Sequence, residues 1–433
     1  MAHTQIVLAA LHTGKADPLL CTLYGDRPEV RQQQVERYTR AIESFRILYP
    51  AQTDIELFSS PGRTEVGGNH TDHNAGHVLA AAVDLDILAV VAKNNANVVR
   101  LKSEGYSQDT VMLDQMEPAE SEKYRSAALT RGVCSRMKSL GCSIGGFDAY
   151  VISNIPNGAG LSSSAAFEVL IATIENDLYN NGKLSALMRA QIARYSENNF
   201  FGKPCGLMDQ TACAVGGFVT IDFKDFTNPV VKKVDYEFSK SGYTLVIVDS
   251  GGSHSDLNED YAALEHEMKD VARAFGGQVL REFSAEKVLQ NVAFLRTAVN
   301  DRAILRALHF YAEDQRVLEQ VQALEKKDFN GFLRLIIESG YSSWMLCQNC
   351  YSHKNVAEQG TSIALTVSGS ILKGQGAWRV HGGGFAGTIQ AFVPNHLLEK
   401  YIFEMNKVFG PGACHALMIR PDGAVRLDIE GKK

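Results

Sequence analysis

The spacing of hydrophobic residues along this chain changes repeatedly between a helical period and a strand period. Residues 27–49 carry apolar side chains three or four positions apart and are followed by Pro50, which predicts one helix that ends there. From residue 58 to about residue 99, strand-like runs alternate with glycine turns. Further strands are predicted over residues 147–155, 217–223, 243–249, 389–393, 416–420 and 425–429. Long helices are predicted over residues 256–275 and 285–340, the second with a charged break at 325–328.

The length of the chain sets the expected number of domains. A chain of 433 residues is too long for one ordinary hydrophobic core, so two domains are expected. The best candidate for a domain boundary near the middle of the chain is the polar segment Lys240-Ser241-Gly242. We therefore predict an N-terminal domain over residues 1–241 and a C-terminal domain over residues 242–433.

Composition narrows the class of protein. Apolar residues make up 45% of the chain and charged residues 21%, which is typical of a globular enzyme. The net charge of −6 comes without a basic stripe and argues against nucleic acid as a partner. The apolar run at residues 6–11 lacks the basic flank of a signal peptide, and the longest apolar stretch, residues 78–92, is interrupted by Asp84 and Asp86. We therefore expect a cytoplasmic protein without a membrane partner, and a monomer is favoured although sequence does not fix the oligomeric state.

The cysteines suggest neither a disulfide framework nor a clear metal site. There are eight of them, and only Cys347 and Cys350 have the spacing of a zinc pair. No second Cys/His pair at zinc-finger spacing follows, so reduced and unligated thiols are expected. The role of these two residues stays open at this point.

A glycine-serine run between a predicted strand and a predicted helix is the strongest chemical signal. Its glycines let the backbone approach an anion, its serines offer hydroxyls, and the N–H groups at a helix start attract phosphate. The run is not a Walker loop, because no Gly-Lys pair in the chain is followed by Ser or Thr. The charge of a bound polyphosphate must therefore be met by Mg²⁺, the helix dipole and other side chains. The predicted nucleotide-binding residues are Gly158, Ala159, Gly160, Leu161, Ser162, Ser163 and Ser164.

The run closely resembles the second motif of the GHMP kinases, a family of small-metabolite kinases. Residues 60–74 resemble the signature of the galactokinase branch of that family, residues 197–210 its catalytic segment, and residues 381–387 the third family motif. All four segments occur in the family's order. The resemblance implies an α/β (α+β) chain with the two-domain GHMP kinase fold, an active site between the domains, and the use of ATP with Mg²⁺.

The resemblance also assigns roles to individual residues. It implies that Asp209 is the catalytic carboxylate with Arg63 as its partner, and that Ser164 and Glu197 bind Mg²⁺. A carboxylate at position 209 could accept the proton of a sugar hydroxyl or orient that hydroxyl, and a nearby guanidinium would keep it ionised. The residues implied to bind the sugar are Asn69, His70, Thr71, Asp72, Gly206 and Tyr261.

The chain departs from the galactokinase pattern in its sugar signature. Glu65 stands where the family has Asn, Asn69 stands where it has Glu, and His73 replaces the usual Tyr. The family's Glu contacts the sugar, so the exchange is either a compensated rearrangement of one hydrogen-bond network or a sign of another sugar.

Three functions remain open on sequence alone. A galactose 1-kinase is the first. A kinase for another sugar, such as N-acetylgalactosamine or arabinose, is the second. A non-catalytic galactose sensor is the third, and the presence of Arg63, Ser164, Glu197 and Asp209 argues against it.

Overall fold

The computed structural model describes residues 2–156, 158, 160–252 and 257–429. Within these residues the strands are β1 (Ala2–His3), β2 (Asp54–Gly67), β3 (His77–Lys93), β4 (Val98–Ser103), β5 (Gln108–Met112), β6 (Phe147–Ser153), β7 (Phe218–Asp222), β8 (Val230–Val234), β9 (Tyr243–Asp249), β10 (Ala377–Val380), β11 (Thr388–Pro394), β12 (Cys414–Leu417) and β13 (Val425–Leu427). The α-helices are α1 (Thr4–His12), α2 (Asp17–Tyr24), α3 (Pro28–Leu48), α4 (Ser126–Ser139), α5 (Ser163–Tyr179), α6 (Ala186–Ser196), α7 (Met208–Val215), α8 (Asn258–Ala274), α9 (Ala285–Gln290), α10 (Val292–Ala298), α11 (Asp301–Glu325), α12 (Phe329–Ser342), α13 (Gly360–Leu372) and α14 (Leu398–Phe409). Two π-helical turns follow α6 and α12, at Glu197–Phe201 and Ser343–Cys347.

The strands form two sheets. The first runs in the order β1-β2-β3-β6-β4-β5, with β13 paired to β2, β7 paired to β3, and β8 paired to β7. The second runs β10-β11-β9-β12, and all its pairs are antiparallel. Apart from β13, the strands of the first sheet precede Lys240 in the chain, and the strands of the second sheet follow it. The division into two domains at residue 241 stays a prediction.

Strand β3 explains why residues 78–92 are almost continuously apolar. The strand is covered on both faces, so successive side chains enter different hydrophobic cores. The core shared with α5 takes Ile87, Ala89 and Val91, and the core shared with α3 takes Leu88, Val90 and Ala92. Burial on two faces therefore accounts for a run that would otherwise suggest a membrane segment.

One buried carboxylate ties the two ends of the chain to the first sheet. Asp86 of β3 is fully buried and accepts hydrogen bonds from Tyr24 (2.6 Å), Arg37 (2.6 Å), Arg420 (3.2 Å) and Ser59. Burial alone raises the pKa of this carboxyl, but the charges of Arg37 and Arg420 outweigh burial and lower it. Because β13 then pairs with β2, the last residues of the described chain complete the first sheet.

The predicted elements agree with the structure at most points. The helix expected over residues 27–49 is α3, and the strands expected over 217–223 and 243–249 are β7 and β9. The strand expected over 416–420 begins and ends earlier, as β12, because Ile419 makes an isolated bridge to Val83 of the first sheet. Among the described residues no single helix is long and apolar enough to span a membrane, although the bent pair α1 and α2 would pass by length and composition alone.

Candidate active site

The glycine-serine run forms a tight turn that ends at the start of α5. Gly158, Gly160 and Ser162 all have positive φ, at 79°, 68° and 56°. The turn lies against β2: Arg63 N donates to Leu161 O (3.1 Å), and a Cβ on Gly62 would lie 2.8 Å from the same oxygen. Only glycine permits that approach, so β2 and the turn are fixed together with the N–H groups of α5 beside them. Ala159 lies outside the described residues.

Arg63 and Asp209 form a bidentate ion pair below this turn. Arg63 Nε donates to Asp209 Oδ1 (2.8 Å) and Nη2 donates to Oδ2 (2.7 Å), while Nη1 donates to Gly160 O and Ser162 Oγ donates to Asp209 Oδ2. Burial alone raises the pKa of Asp209, but the charge and hydrogen bonds of Arg63 outweigh burial and hold the pKa below its usual value. Asp209 is therefore ionised at neutral pH, in the first turn of α7, where the helix dipole also favours an anion.

A second group of carboxyls lies along one face of α5. Ser164 Oγ donates to Glu197 Oε1 (3.2 Å), and Gln210 Nε2 donates to Glu197 Oε2 (2.9 Å) and to Glu168 Oε2 (3.3 Å). Glu168 is fully buried one helical turn after Ser164. Burial raises the pKa of Glu168 well above its usual value, and the neighbouring Glu197 charge raises it further. Burial and the neighbouring charge thus favour the neutral form of Glu168.

The loop after β10 reaches the turn from the second sheet. The buried His381 side chain contacts Thr64 Oγ1 of β2 (3.1 Å) and Thr388 Oγ1 of β11 (2.9 Å). A Cβ on Gly160 would lie 3.2 Å from His381 Nδ1. Burial lowers the pKa of His381 to about 3, so the imidazole is neutral. The third family motif therefore packs directly on the glycine-serine turn.

The side chain of Asn69 is fully enclosed in a polar network. Its Nδ2 donates to Glu65 Oε1 (3.0 Å) and to Gly382 O (2.8 Å), and its Oδ1 accepts from Asn349 Nδ2 (2.8 Å) and Ser343 Oγ (3.3 Å). Both donors and both acceptor sites of the amide are therefore in use within the protein. None of its surface is exposed.

Glu65, the other half of the exchange, is paired from the second sheet. Arg379 Nη2 donates to Glu65 Oε1 at 2.9 Å, and Arg379 Nη1 donates to Val66 O (2.7 Å). Burial raises the pKa of Glu65, and the ion pair with Arg379 offsets part of that rise. Thr71 is also fully buried, and its hydroxyl donates to Gly68 O (2.9 Å).

The four other residues of the predicted sugar set lie closer to the surface. A Cβ on Gly206 would lie 3.2 Å from Asp72 Oδ2, so the sugar signature and the catalytic segment meet there. His70 Nε2 donates to Gly383 O (2.9 Å), and Tyr261 Oη donates to Gly384 O (3.0 Å). Burial lowers the pKa of His70 to about 3, so this imidazole is also neutral.

The structure thus brings most of the predicted residues together, in two groups. The first group consists of Arg63, Asp209, the serines of the turn and Glu197. The second group adjoins the loop 382–384 or the catalytic segment and consists of Asp72, Gly206, His70 and Tyr261. Asn69 and Thr71 lie beneath the second group with their side chains turned inward. Sequence reasoning did not single out Glu168, although its position four residues after Ser164 on a helix puts both on one face. It also missed Asn349 and Arg379, for which no local motif gives a signal.

Comparisons with known proteins agree with this geometry. The family model of the GHMP kinase N-terminal domain matches residues 128–217, and that of the galactokinase galactose-binding signature matches residues 43–93. Human galactokinase is 30% identical over 91% of this chain and 98% of the human protein. A galactokinase of Streptomyces coelicolor is 29% identical over 80% of this chain and 86% of its own length. The crystal structure of Lactococcus lactis galactokinase complexed with galactose superposes with a TM-score of 0.74 at 22% identity, over 89% of this chain and 98% of that one.

The fold, and the glycine-serine turn at the start of α5, define a GHMP kinase. The 30% sequence identity to human galactokinase, over nearly the whole length of that protein, identifies the branch of this family. The chain belongs to the galactokinase family.

Proposed function

We propose that this protein transfers the γ-phosphoryl group of ATP to the anomeric hydroxyl of galactose, giving galactose 1-phosphate and ADP. The observation that carries the proposal is the Arg63–Asp209 pair beside the start of α5: an ionised carboxylate lies next to backbone N–H groups suited to phosphate. The family membership supports the same conclusion, because the relatives that match over most of the chain are galactokinases.

In the proposed reaction Asp209 takes the proton of the anomeric hydroxyl. The hydroxyl oxygen forms a bond to the γ-phosphorus while the bond from that phosphorus to the β,γ-bridging oxygen breaks, and ADP leaves with the electron pair of that bond. Arg63 keeps the carboxylate ionised before transfer and orients both of its oxygens. Ser162 contacts the same carboxylate and couples its position to the turn.

Mg²⁺ fits the donors that Ser164 and Glu197 provide. A hydroxyl and a carboxylate oxygen lie 3.2 Å apart there, and hard oxygen ligands are what this ion prefers. In the described part of the chain no group of three or more His, Cys, Asp or Glu is arranged to hold a metal. When bound, Mg²⁺ would neutralise charge on the phosphate oxygens. Gln210 holds the second oxygen of Glu197 and so orients that carboxylate.

The sugar is expected above the inward-facing part of the signature. Asp72, with Gly206 beside it, can accept two hydrogen bonds from neighbouring sugar hydroxyls. His70 and Tyr261 each donate one hydrogen bond to the loop 382–384, and they would line the same side of the sugar site. The contact between Glu65 and Asn69 favours a compensated rearrangement over a changed sugar, because both residues belong to one closed network. As an enzyme that consumes ATP it is expected to act in the cytoplasm, and a monomer is favoured.

A panel of aldoses and N-acetylated sugars, tested with ATP and Mg²⁺ in a coupled ADP-release assay, tests the proposal. Galactose should give the highest kcat/KM, and the product should carry phosphate at carbon 1 by NMR. A clear preference for another sugar would replace the substrate, and ADP release at background level with every sugar would remove the kinase function itself.

A further inference from the structure

The charges around the glycine-serine turn leave the phosphate groups short of a cation. Asp209 and Glu197 bring two negative charges to a site that must also hold a polyphosphate, and the turn has no lysine of its own. His70 and His381 are neutral, since burial lowers both pKa values to about 3. Mg²⁺ would meet part of the phosphate charge, and a positive side chain from elsewhere in the chain would meet the rest.

Arg63 is poorly suited to supply that charge. Its guanidinium is 8% exposed, and three of its N–H groups already bind the two oxygens of Asp209 and the carbonyl of Gly160. A buried guanidinium held by a carboxylate in bidentate geometry stabilises that carboxylate first. Its positive charge is thus balanced within the site before any nucleotide arrives.

Lys203 lies on the segment between the two carboxylates. The segment follows the π-helical turn 197–201, and Asn198 fixes it by accepting from Cys205 N (2.7 Å). Lys203 Nζ is 3.9 Å from Glu197 Oε1. Burial raises the pKa of Asp209, whereas Arg63 and Ser162 lower it, and the charge of Lys203 lowers it further. The side chain is 65% exposed, so it is free to turn towards a ligand in the cleft.

We propose that Lys203 binds the γ-phosphoryl group of ATP and takes the place of the lysine that the glycine-serine turn lacks. This inference rests on the proposed kinase function and assigns a further residue to it. An ammonium between Glu197 and Asp209 would meet the phosphoryl group on the side where it is transferred, and would stabilise the charge that its oxygens keep during transfer. A lysine suits this task because it acts as a point charge on a flexible stem.

The test separates nucleotides that differ only in the γ-phosphoryl group. Calorimetric titration of the full chain with Mg²⁺ and a non-hydrolysable ATP analogue, and separately with Mg²⁺ and ADP, is compared between wild type and Lys203→Met. The affinity for the ATP analogue should fall about tenfold, as expected for one exposed charge-assisted hydrogen bond, while the affinity for ADP stays unchanged. The KM for ATP should rise by a similar factor, and Lys203→Arg should restore most of the affinity.

Lys407→Met is the matched control, because Lys407 is similarly exposed and pairs with Glu404 at 3.1 Å on α14. It should change neither affinity. Equal losses for the ATP analogue and ADP in Lys203→Met, or no loss for either, would overturn the assignment, since a lysine that only neutralises Glu197 does not distinguish the two nucleotides. A wild-type protein that binds neither nucleotide would instead refute the proposed kinase function.

Discussion

At the phosphate end of the site, Asp209 and Lys203 keep contact with the cleft, whereas at the sugar end the ion pair of Glu65 and Arg379 is closed off from it. Asp209 is about one-third exposed and Lys203 mostly exposed, while Glu65 and Asn69 are buried with Arg379 and Asn349 around them. The phosphate end can therefore adjust its charges to a ligand. At the sugar end the buried polar groups bind one another before any sugar binds. Part of the sugar signature therefore acts indirectly, by fixing the loop 382–384. A motif residue that aligns with a ligand contact can thus serve as a support for the residues that make the contact.

The largest effect should come from the phosphate end. Asp209→Asn should lower kcat by about 10²–10⁴-fold, because the amide neither accepts the sugar proton nor balances Arg63. The affinity for ATP should change little. Asp270→Asn is the control, since Asp270 is an exposed partner of Arg273 on α8. A kcat of half the wild-type value in Asp209→Asn would exclude this carboxylate from the mechanism.

At the sugar end the larger effect should be on stability. Arg379→Met leaves the buried Glu65 without its ion-pair partner, and it should lower the free energy of unfolding by about 3–5 kcal/mol. Urea unfolding followed by circular dichroism measures this. Arg334→Met, at an arginine that is 72% exposed, should cost less than about 1 kcal/mol. Equal effects of the two changes would mean that the Glu65–Arg379 pair contributes nothing beyond surface charge.

Substitutions at positions 65 and 69 test whether the exchange of Glu and Asn at the sugar end is compensated. Glu65→Asn and Asn69→Glu should each lower kcat/KM for galactose, and the double variant should recover part of the loss, because the two side chains touch at 3.0 Å. The coupling free energy should be about 0.5–3 kcal/mol.

Kinetics of all four combinations give this coupling directly. Strictly additive losses would remove the support for a compensated exchange. Improved galactose turnover in Asn69→Glu alone would indicate that the wild type prefers another sugar.

The smallest effect on turnover is expected for Glu168→Gln. Burial raises the pKa of Glu168 well above its usual value and favours the neutral carboxyl, which the amide resembles, so the variant should preserve kcat within about threefold. The stability difference should depend on pH. The folded pKa lies above the unfolded value of about 4.3, so the wild type loses stability as pH rises above that value, by up to about 1.4 kcal/mol per unit, and the variant does not.

Unfolding measured from pH 4 to pH 8 tests this sign. The variant should gain on the wild type as pH rises. A constant difference between the two would mean that Glu168 titrates normally in the folded protein.

Local sequence signals predicted several elements of the fold and part of the site. Helical spacing before Pro50 marked α3, and glycines and serines between a strand and a helix marked the turn at 158–164, because these features depend on neighbours within a few residues. The burial of Asn69 could not be foreseen in this way. Apart from Glu65, the groups that saturate its amide are 274 to 313 residues away in the chain, and they approach only when the chain has folded.

The same limit applies to the exchange of Glu65 and Asn69. Sequence showed that two residue types had changed places, but it could not show that Arg379 binds Glu65 and that Asn349 binds Asn69. Glu168 is different, since its helical spacing from Ser164 was readable in advance. The interior of a site is thus harder to predict than its surface whenever its partners come from distant segments.

The return of the chain to its first sheet has a consequence for how this protein is made. Arg420 reaches Asp86, and β13 pairs with β2, so the first sheet lacks one strand and one buried charge until residues 420–427 are synthesised. When only β1 to β9 of a nascent chain have left the ribosome, Asp86 can accept these hydrogen bonds only from Arg37, Tyr24 and Ser59. Completion of the first sheet therefore follows the synthesis of the second, and a ribosome that stops before residue 420 releases a product with its first sheet unfinished.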